Sequence, residues 1–318
     1  MLNRQNHRSL FIVVGSIAMA LHLAAPTPSR AQNLYVSSLY RNLVSEYNAK
    51  TGATINASFN SNSSGEANQP EGMVLSGSDI FITNEGYNTV GEYNAVTGAT
   101  INASFISIDG AEGLALSGSD LFVANTGFGG VSEYNAVTGA TINAFFASGI
   151  DQPECLAISG SDLYVGLESG SVREYNTTTD TLITSSLISV GINIAYGLAI
   201  SGTDLYVGDY YYDRIGEYNA STGATINTSF ISGLQTPYGL AISGTDLYVA
   251  NQFSGTIGEY NAKTGATINA SLISGLNEPV FIAISSVPEP APWALVVSSL
   301  GLLCGMQRFR RARKVKVR

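Results

Sequence analysis

A phrase close to EYNAVTGATINASF occurs six times in this 318-residue chain, at intervals of 41 to 46 residues. Repeats of this length that are made of short strands and turns are typical of the blades of a β-propeller. The repeat therefore restricts the middle of the chain to a ring of similar β-sheets. The Glu-Tyr-Asn part of the phrase begins at Glu46, Glu92, Glu133, Glu174, Glu217 and Glu259.

Each repeat can be divided into four strands. An apolar run such as GLAIS at 197–201 predicts the innermost strand, and a tight SGSD or SGTD turn follows it. An aromatic and β-branched run such as LYV predicts the second strand. The Glu-Tyr-Asn phrase predicts the third strand, and TINASF, after a turn that contains glycine, predicts the fourth. No segment of the middle has a helical pattern, so we predict an all-β fold.

The number of strands predicts how the ring closes. The middle of the chain starts at Leu34 with a second strand and finishes near Ser286 with a first strand. Six strands of each type are present only if the last inner strand, 281–285, joins the three strands at the N-terminal end. We therefore predict a six-bladed β-propeller over residues 34–286, closed by pairing of its N- and C-terminal strands.

The residue just before the predicted inner strand differs from blade to blade, in contrast to the rest of the repeat. Asn125, Asp209 and Asn251 follow second strands and reach the same face of the ring. Carboxylate and amide oxygens suit calcium, and tyrosine rings suit a sugar. We predict a binding site on this face of the ring, at the mouth of the central channel, with calcium bound by Glu71, Glu112 and Glu154. The six differing residues are Glu71, Glu112, Glu154, Tyr196, Tyr238 and Val280.

The glutamate of the repeated phrase is predicted to be structural. Its six copies lie on the third strands of six separate blades, so they cannot converge on one substrate. A side chain that is placed identically in every blade is most simply a hydrogen-bond partner between blades. We predict that role for Glu92 and its equivalents.

The middle of the chain resembles the NHL-repeat and gluconolactonase-like group of six-bladed propellers. The segment TPYGLAISGTDLYVANQFSGTIGEYN at 236–261 carries this resemblance through its Pro-x-Gly start, apolar inner strand and Tyr-Val second strand. In calcium-dependent gluconolactonases, a Glu and Asn or Asp residues from different blades hold the metal in the channel. The resemblance implies that Glu71, Glu112 or Glu154 could form a similar set with Asn125, Asp209 or Asn251, although no complete motif is present.

Residues 1–31 have the pattern of a secretory signal peptide. A short polar segment with Arg4 and Arg8 precedes an apolar run at 10–25, and a small-x-small pattern ends at Ala31. We predict cleavage after Ala31. An uncleaved anchor helix is the alternative, but the apolar run is short for a membrane span.

Residues 287–318 resemble the PEP-CTERM sorting signal of Gram-negative bacteria. The motif Pro288-Glu289-Pro290 is followed by an apolar stretch at 293–306, which predicts a short transmembrane helix, and by seven basic residues. The resemblance implies processing by an exosortase, transient contact with the inner membrane through this helix, and release to the cell surface or an exopolysaccharide matrix. The alternative is an ordinary single-span anchor.

The charge and the histidine content of the residues between these two ends exclude several classes of partner and of reaction. They include five basic and 23 acidic residues, a net charge near −18. Nucleic acid and anionic membranes are excluded because each needs a basic surface. Both histidines, His7 and His22, lie in the predicted leader, so the mature protein would lack histidine for catalysis or metal binding.

These observations predict an exported, non-catalytic propeller that binds a glycan or a surface protein through its acidic and aromatic channel mouth. One alternative is a calcium-dependent, lactonase-like hydrolase with its site in the channel. Without histidine, such an enzyme would need a carboxyl group whose pKa is raised by burial. The other alternative is an architectural matrix protein that has no defined ligand.

Overall fold

The computed structural model describes residues 32–61, 68–189 and 191–285. The predicted signal peptide with its cleavage site at Ala31, and the predicted sorting signal with Pro288, Glu289 and Pro290, lie outside the described residues. Within these ranges, 24 strands form six antiparallel sheets of four strands each, which are the six predicted blades. None of the helices in the described ranges is long and apolar enough to span a membrane.

The strands are numbered along the chain, and each blade is one sheet. Blade 1 contains β1 (Asn33–Ser38), β2 (Leu43–Asn48), β3 (Thr54–Ser61) and β24 (Pro279–Ile284). Blade 2 contains β4 (Pro70–Ser76), β5 (Asp79–Asn84), β6 (Thr89–Asn94) and β7 (Thr100–Ser107). Blade 3 contains β8 (Ala111–Ser117), β9 (Asp120–Asn125), β10 (Gly130–Asn135) and β11 (Thr141–Ser148).

The other three blades repeat this arrangement. Blade 4 contains β12 (Pro153–Ser159), β13 (Asp162–Leu167), β14 (Val172–Asn176) and β15 (Thr181–Ile188). Blade 5 contains β16 (Ala195–Ser201), β17 (Asp204–Asp209), β18 (Arg214–Asn219) and β19 (Thr225–Ser232). Blade 6 contains β20 (Pro237–Ser243), β21 (Asp246–Asn251), β22 (Thr256–Asn261) and β23 (Thr267–Ile273). Short 3-10 turns lie at Leu39–Arg41 and Glu85–Tyr87.

Blade 1 closes the ring with strands from both ends of the propeller. Strand β24 pairs antiparallel with β1, and Leu34 lies opposite Ile284. This pairing confirms the predicted closure. The inner strand begins at Pro279, two residues before its predicted start at Phe281.

The turn after each Glu-Tyr-Asn phrase explains why the phrase is so regular. In blade 2, the Asn94 side-chain oxygen accepts the backbone N–H groups of Val96 and Thr97, at 3.1 and 3.0 Å. Gly98 has a φ of 72°, as predicted for the glycine of this turn. A Cβ atom at Gly98 would also meet the carbonyl oxygen of Phe59 in blade 1, so glycine is required for two reasons.

The asparagine of TINASF also bonds to its own backbone. The Asn102 side-chain oxygen accepts the N–H of Ser104 at 3.2 Å, and the register of the outer strand shifts at this point. Such a bulge uses a backbone donor that would otherwise be free on the exposed edge of the sheet. The asparagine of the outer strand therefore has a structural role. The same bond is made by Asn56, Asn143, Asn227 and Asn269.

The core consists of six apolar layers, each lying between two neighbouring blades. Tyrosines of second strands also connect the blades by hydrogen bonds. The hydroxyl of Tyr35 donates to the carbonyl of Ala95 at 2.7 Å, and the hydroxyl of Tyr206 donates to the carbonyl of Ala262. These bonds supply the contact between blades that we predicted for the repeated glutamate.

The predicted role of the repeated glutamate is wrong where its hydrogen bonds are seen. Glu46 accepts the Nδ2 group of Asn33 at 2.7 Å and the hydroxyl of Tyr35 at 3.4 Å. Both partners lie on β1, in the same blade as Glu46. Glu46 therefore joins neighbouring strands within blade 1, and it does so through Asn33, a position that is aspartate in the other five blades.

One backbone hydrogen bond, repeated in all six blades, fixes the loops at one end of the channel. The first residue after each second strand donates its N–H to the carbonyl of the residue that precedes the inner strand of the same blade, at 2.9 to 3.4 Å. We call this end of the propeller the loop face. The bonds run from Leu39 to Glu278, Glu85 to Gln69, Thr126 to Gly110, Glu168 to Gln152, Tyr210 to Ile194 and Gln252 to Thr236.

Candidate functional site: carboxyl groups and tyrosines at the channel mouth

The predicted mouth residues lie on the inner strands themselves, one residue after each strand begins. In blade 2, Pro70 lies opposite Asn84 and Met73 opposite Ile82, so two residues of β4 face a single residue of β5. This β-bulge contains Glu71. Bulges change the direction of side chains, and this one lies at the loop-face end of the inner strand.

Glycines after the mouth residues allow neighbouring blades to approach closely. A Cβ atom at Gly72 would meet the carbonyl oxygen of Glu112, and one at Gly197 would meet that of Tyr238. The inner strands are therefore close enough for mouth residues of successive blades to interact. Blade 4 has Cys155 at this position, and its thiol donates to the carbonyl of Ala195 in blade 5 at 3.2 Å.

Glu71, Glu112 and Glu154 form a buried acid cluster. Their exposed fractions are only 6, 8 and 7%. Burial, followed by the hydrogen bond to Glu71 and the charge of Glu71, raises the pKa of Glu112 to about 12. Burial also raises the pKa of Glu71, although its hydrogen bond with Glu112 opposes this effect. Glu112 therefore keeps its proton near neutral pH and donates the hydrogen bond that Glu71 accepts.

Glu154 is a third acid in the same cluster. Burial raises its pKa to about 8, with smaller contributions from the charges of Glu71, Glu168 and Glu85. No cation contributes to this shift, so nothing offsets the loss of hydration. Glu154 therefore carries a proton at neutral pH and can donate a hydrogen bond.

Tyrosines form the other half of the mouth. The rings of Tyr196 and Tyr238 stack with centroids 4.4 Å apart and an interplanar angle of 16°. The Tyr210 ring lies edge-on to both, at 5.0 and 6.2 Å, and the Phe281 ring packs against Tyr238 at 5.5 Å. The pKa of Tyr238 is well above its usual value because of burial and the charges of all three glutamates. The acidic and aromatic halves therefore adjoin.

Asn125, Asp209 and Asn251 were predicted to join this set, and their contacts are local instead. The Asn125 side-chain oxygen accepts the N–H of Phe128 at 2.9 Å. Asp209 forms an ion pair with Arg214 at 3.2 Å. The Asn251 side chain donates to a threonine of its own hairpin at 3.5 Å. These bonds stabilise the loops, and none of them involves a glutamate of the mouth.

The predicted calcium site is not preformed. Among residues 32–61, 68–189 and 191–285, no group of three or more Asp, Glu, His or Cys side chains is arranged to hold a metal ion. Glu71 Oε2 is buried without a hydrogen-bond partner, which would suit a cation, but Glu71 and Glu112 bond to each other. Calcium would have to displace the proton of Glu112. Calcium at Glu71, Glu112 and Glu154 stays a prediction.

Sequence reasoning missed two residues of the mouth. Phe281 occupies the position that is glycine in four other blades, and it packs against apolar layers on two sides. Glu168 follows its second strand as Glu85 does, and its charge contributes to the raised pKa of Glu154. Alignment of the six repeats could have identified both residues, because it shows Phe281 in place of a glycine and Glu168 at the position of Glu85.

Comparisons with known proteins support the fold. No family model matches the chain, and no curated protein sequence matches it. The chain is similar to one in the crystal structure of a nidogen/laminin complex, with a TM-score of 0.69 and 13% identity, over 80% of this chain and 99% of that chain. At this identity the similarity shows the fold alone, a six-bladed β-propeller.

Two computationally designed proteins are also similar. Ika8 is 14% identical over 79% of this chain and 74% of its own, with a TM-score of 0.49. Ika4 is 14% identical over 48% of this chain and 90% of its own, with a TM-score of 0.39.

Proposed function

We propose that this propeller is a non-catalytic binding module that recognises a glycan at its channel mouth. The observation that carries the proposal is the stacked pair Tyr196 and Tyr238, on inner strands that follow those of the buried acid cluster around the ring. An aromatic face packs against the C–H groups of a sugar ring, while protonated carboxyl groups can both donate to and accept from its hydroxyls. The hydrogen-bonded loop face holds these groups in place before a ligand arrives.

The charge of the protein supports an uncharged glycan in particular. The residues between the two ends carry 23 acidic and five basic side chains, so an acidic polysaccharide would be repelled. A neutral sugar meets no such barrier, and it needs no counter-charge for burial at the mouth. The other predicted partner is a surface protein, and the described residues of the mouth have no equivalent feature that favours it.

The proposal includes export and surface display. It rests on the sequence patterns at 1–31 and 287–318, which predict secretion and exosortase processing. Intact mass measurement of the exported protein tests this part. We expect a chain that begins at Gln32 and lacks the residues after about Pro290. A mature chain that retains Arg318 would contradict exosortase processing.

Glycan binding can be tested with the purified protein on an array of neutral and acidic oligosaccharides, followed by titration calorimetry. We expect neutral glycans to bind and acidic ones to be rejected. Tyr238→Ala should lower affinity at least about tenfold, because it removes the stacking face. Phe145→Ala, which removes an exposed aromatic ring from outer strand β11, is the matched control and should have no effect. Absence of binding to every glycan would refute the proposal.

The raised pKa of Glu154 supports a second candidate, a lactonase-like hydrolase. A carboxyl group with a pKa of about 8 holds a proton at neutral pH and can act as a general acid without histidine. Hydrolysis of γ-butyrolactone, followed by acid release with and without calcium, tests this candidate. Turnover that is lost in Glu154→Gln would favour it over the non-catalytic proposal, and melting curves with calcium and with chelator would show whether calcium binds.

A further inference from the structure

A cavity opens on the loop face beside the channel mouth. Its volume is about 380 Å³, and it lies between the loops of blades 5 and 6 and the segment that leads into β24. Its lining includes Tyr210, Phe253 and Glu278. The Tyr210 ring also belongs to the aromatic half of the mouth, where it lies 5.0 Å from Tyr196. The mouth and this cavity therefore share a wall.

The cavity wall is held in a strained conformation. Thr236 has a φ of 50°, which is unusual for a β-branched residue and is further disfavoured before Pro237. Its N–H donates to the Asp213 carboxylate at 2.7 Å, and its hydroxyl accepts the N–H of Phe253 at 2.9 Å. The N–H of Gln252 donates to its carbonyl at 3.1 Å. The same positive φ occurs at Gln69, Gln152 and Glu278, each also before a proline, so the conformation belongs to the repeat. The hydrogen bonds of Thr236 hold this wall of the cavity in place.

The side chains around this wall are available to a ligand. The Phe253 side chain is 82% exposed, although its backbone is fixed by the hydrogen bond to Thr236. The side chains of Gln252, Asn277 and Glu278 also line the cavity, and none of them makes a hydrogen bond to another described residue. An exposed aromatic ring on a rigid loop, with free amide and carboxylate groups beside it, is suited to a sugar ring and its hydroxyls.

We propose that the cavity at Phe253 is a second sugar subsite, and that the propeller binds an internal stretch of a linear, uncharged polysaccharide. The chain would run from Tyr238 at the mouth, past Tyr210, to Phe253. This inference rests on the glycan-binding function proposed above. A ligand that reaches both subsites gains a second set of contacts without a second loss of translational freedom, so affinity should rise with chain length.

Titration calorimetry with cello- and xylo-oligosaccharides of one to six units tests the second subsite. For the full protein, we expect about a tenfold or greater rise in affinity between the disaccharide and the hexasaccharide. Phe253→Ala should abolish this rise and leave disaccharide affinity unchanged. Tyr238→Ala should weaken binding of every length, and the control Phe145→Ala should change neither quantity.

The variants distinguish failure of the subsite from failure of the proposed function. Phe253 is exposed, so its replacement should leave the melting temperature unchanged, and Phe253→Trp should keep the dependence on length. Affinity that does not change with length, or a rise that survives in Phe253→Ala, would refute the second subsite alone. Absence of binding at every length would refute both this inference and glycan binding by the mouth.

Discussion

Replacement of Glu154 by Gln tests whether the channel mouth contains a protonated acid. The pKa of Glu154 is about 8 in the folded protein, whereas an ordinary glutamate titrates near 4.5. Because the folded value is the higher one, between about pH 5 and pH 7 the folded protein holds a proton that the unfolded chain has released. The stability linked to this proton is complete below pH 4.5 and is lost as the pH rises towards 8.

One bound proton sets the size of the effect. It changes the free energy of unfolding by about 1.4 kcal/mol per pH unit, or about 2.7 kcal/mol between pH 5 and pH 7. Glu154 is 7% exposed, so solvent screens this effect little. Gln has nearly the shape of the protonated acid but does not titrate. The variant should therefore lose stability less steeply with rising pH and exceed the natural protein in stability at pH 8.

Urea unfolding at pH 5, 6, 7 and 8 measures this difference. Other buried acids also contribute to the slope of the natural protein, for example Glu133, whose pKa is raised to about 7 by burial and the charges of Asp180 and Asp120. The difference between variant and natural protein isolates Glu154. Asp151→Asn, which removes an exposed carboxylate from the loop face, is the control. Equal slopes for Glu154→Gln and the natural protein would refute the reasoning.

Three further substitutions test the fold, each by urea unfolding. Tyr206→Phe should cost about 1 to 2 kcal/mol of unfolding free energy, because the carbonyl of Ala262 loses its partner in the next blade. Gly197→Ala should cost about 1 to 3 kcal/mol or more, because the new methyl group meets the carbonyl oxygen of Tyr238. Asn102→Ala should cost about 1 kcal/mol or less, because it removes one exposed side-chain bond to the backbone.

Each of these substitutions has a matched control. Tyr211→Phe changes an exposed tyrosine and should be neutral. Gly77→Ala places a methyl group where no atom lies within 4 Å, so only its φ of 60° opposes the change. If Gly197→Ala costs no more than Gly77→Ala, close approach of the blades is not what requires glycine at 197. Ser107→Ala is the control for the outer strand.

Much of the fold could be predicted because its determinants are local. The period of the repeat, the alternation within strands and the glycine of each turn are properties of residues that are close in the sequence. Comparison of the repeats also identified the differing residues Glu71, Glu112, Glu154, Tyr196 and Tyr238. The predicted boundaries of the inner strands were wrong by a few residues, since each strand begins earlier and includes its mouth residue.

The partners of individual side chains could not be predicted in the same way. Asp209 is an acidic residue at the end of β17 and was predicted to belong to the mouth, yet its carboxylate forms an ion pair with Arg214 across the hairpin. Glu46 bonds within its blade, while Tyr35 of the same blade reaches the next one. These outcomes depend on distances of a few ångströms, which a pattern of residue types does not specify.

The sequence by itself determined the number of blades, the closure of the ring and the positions where the repeats differ, because each follows from spacing along the chain. Only the tertiary structure decided that Glu112 bonds to Glu71 and that Tyr210 lies between the mouth and the cavity at Phe253. These residues belong to different blades and lie tens of positions apart. The stacking of the sheets brings them into contact and removes the water that would otherwise keep the carboxyl groups ionised.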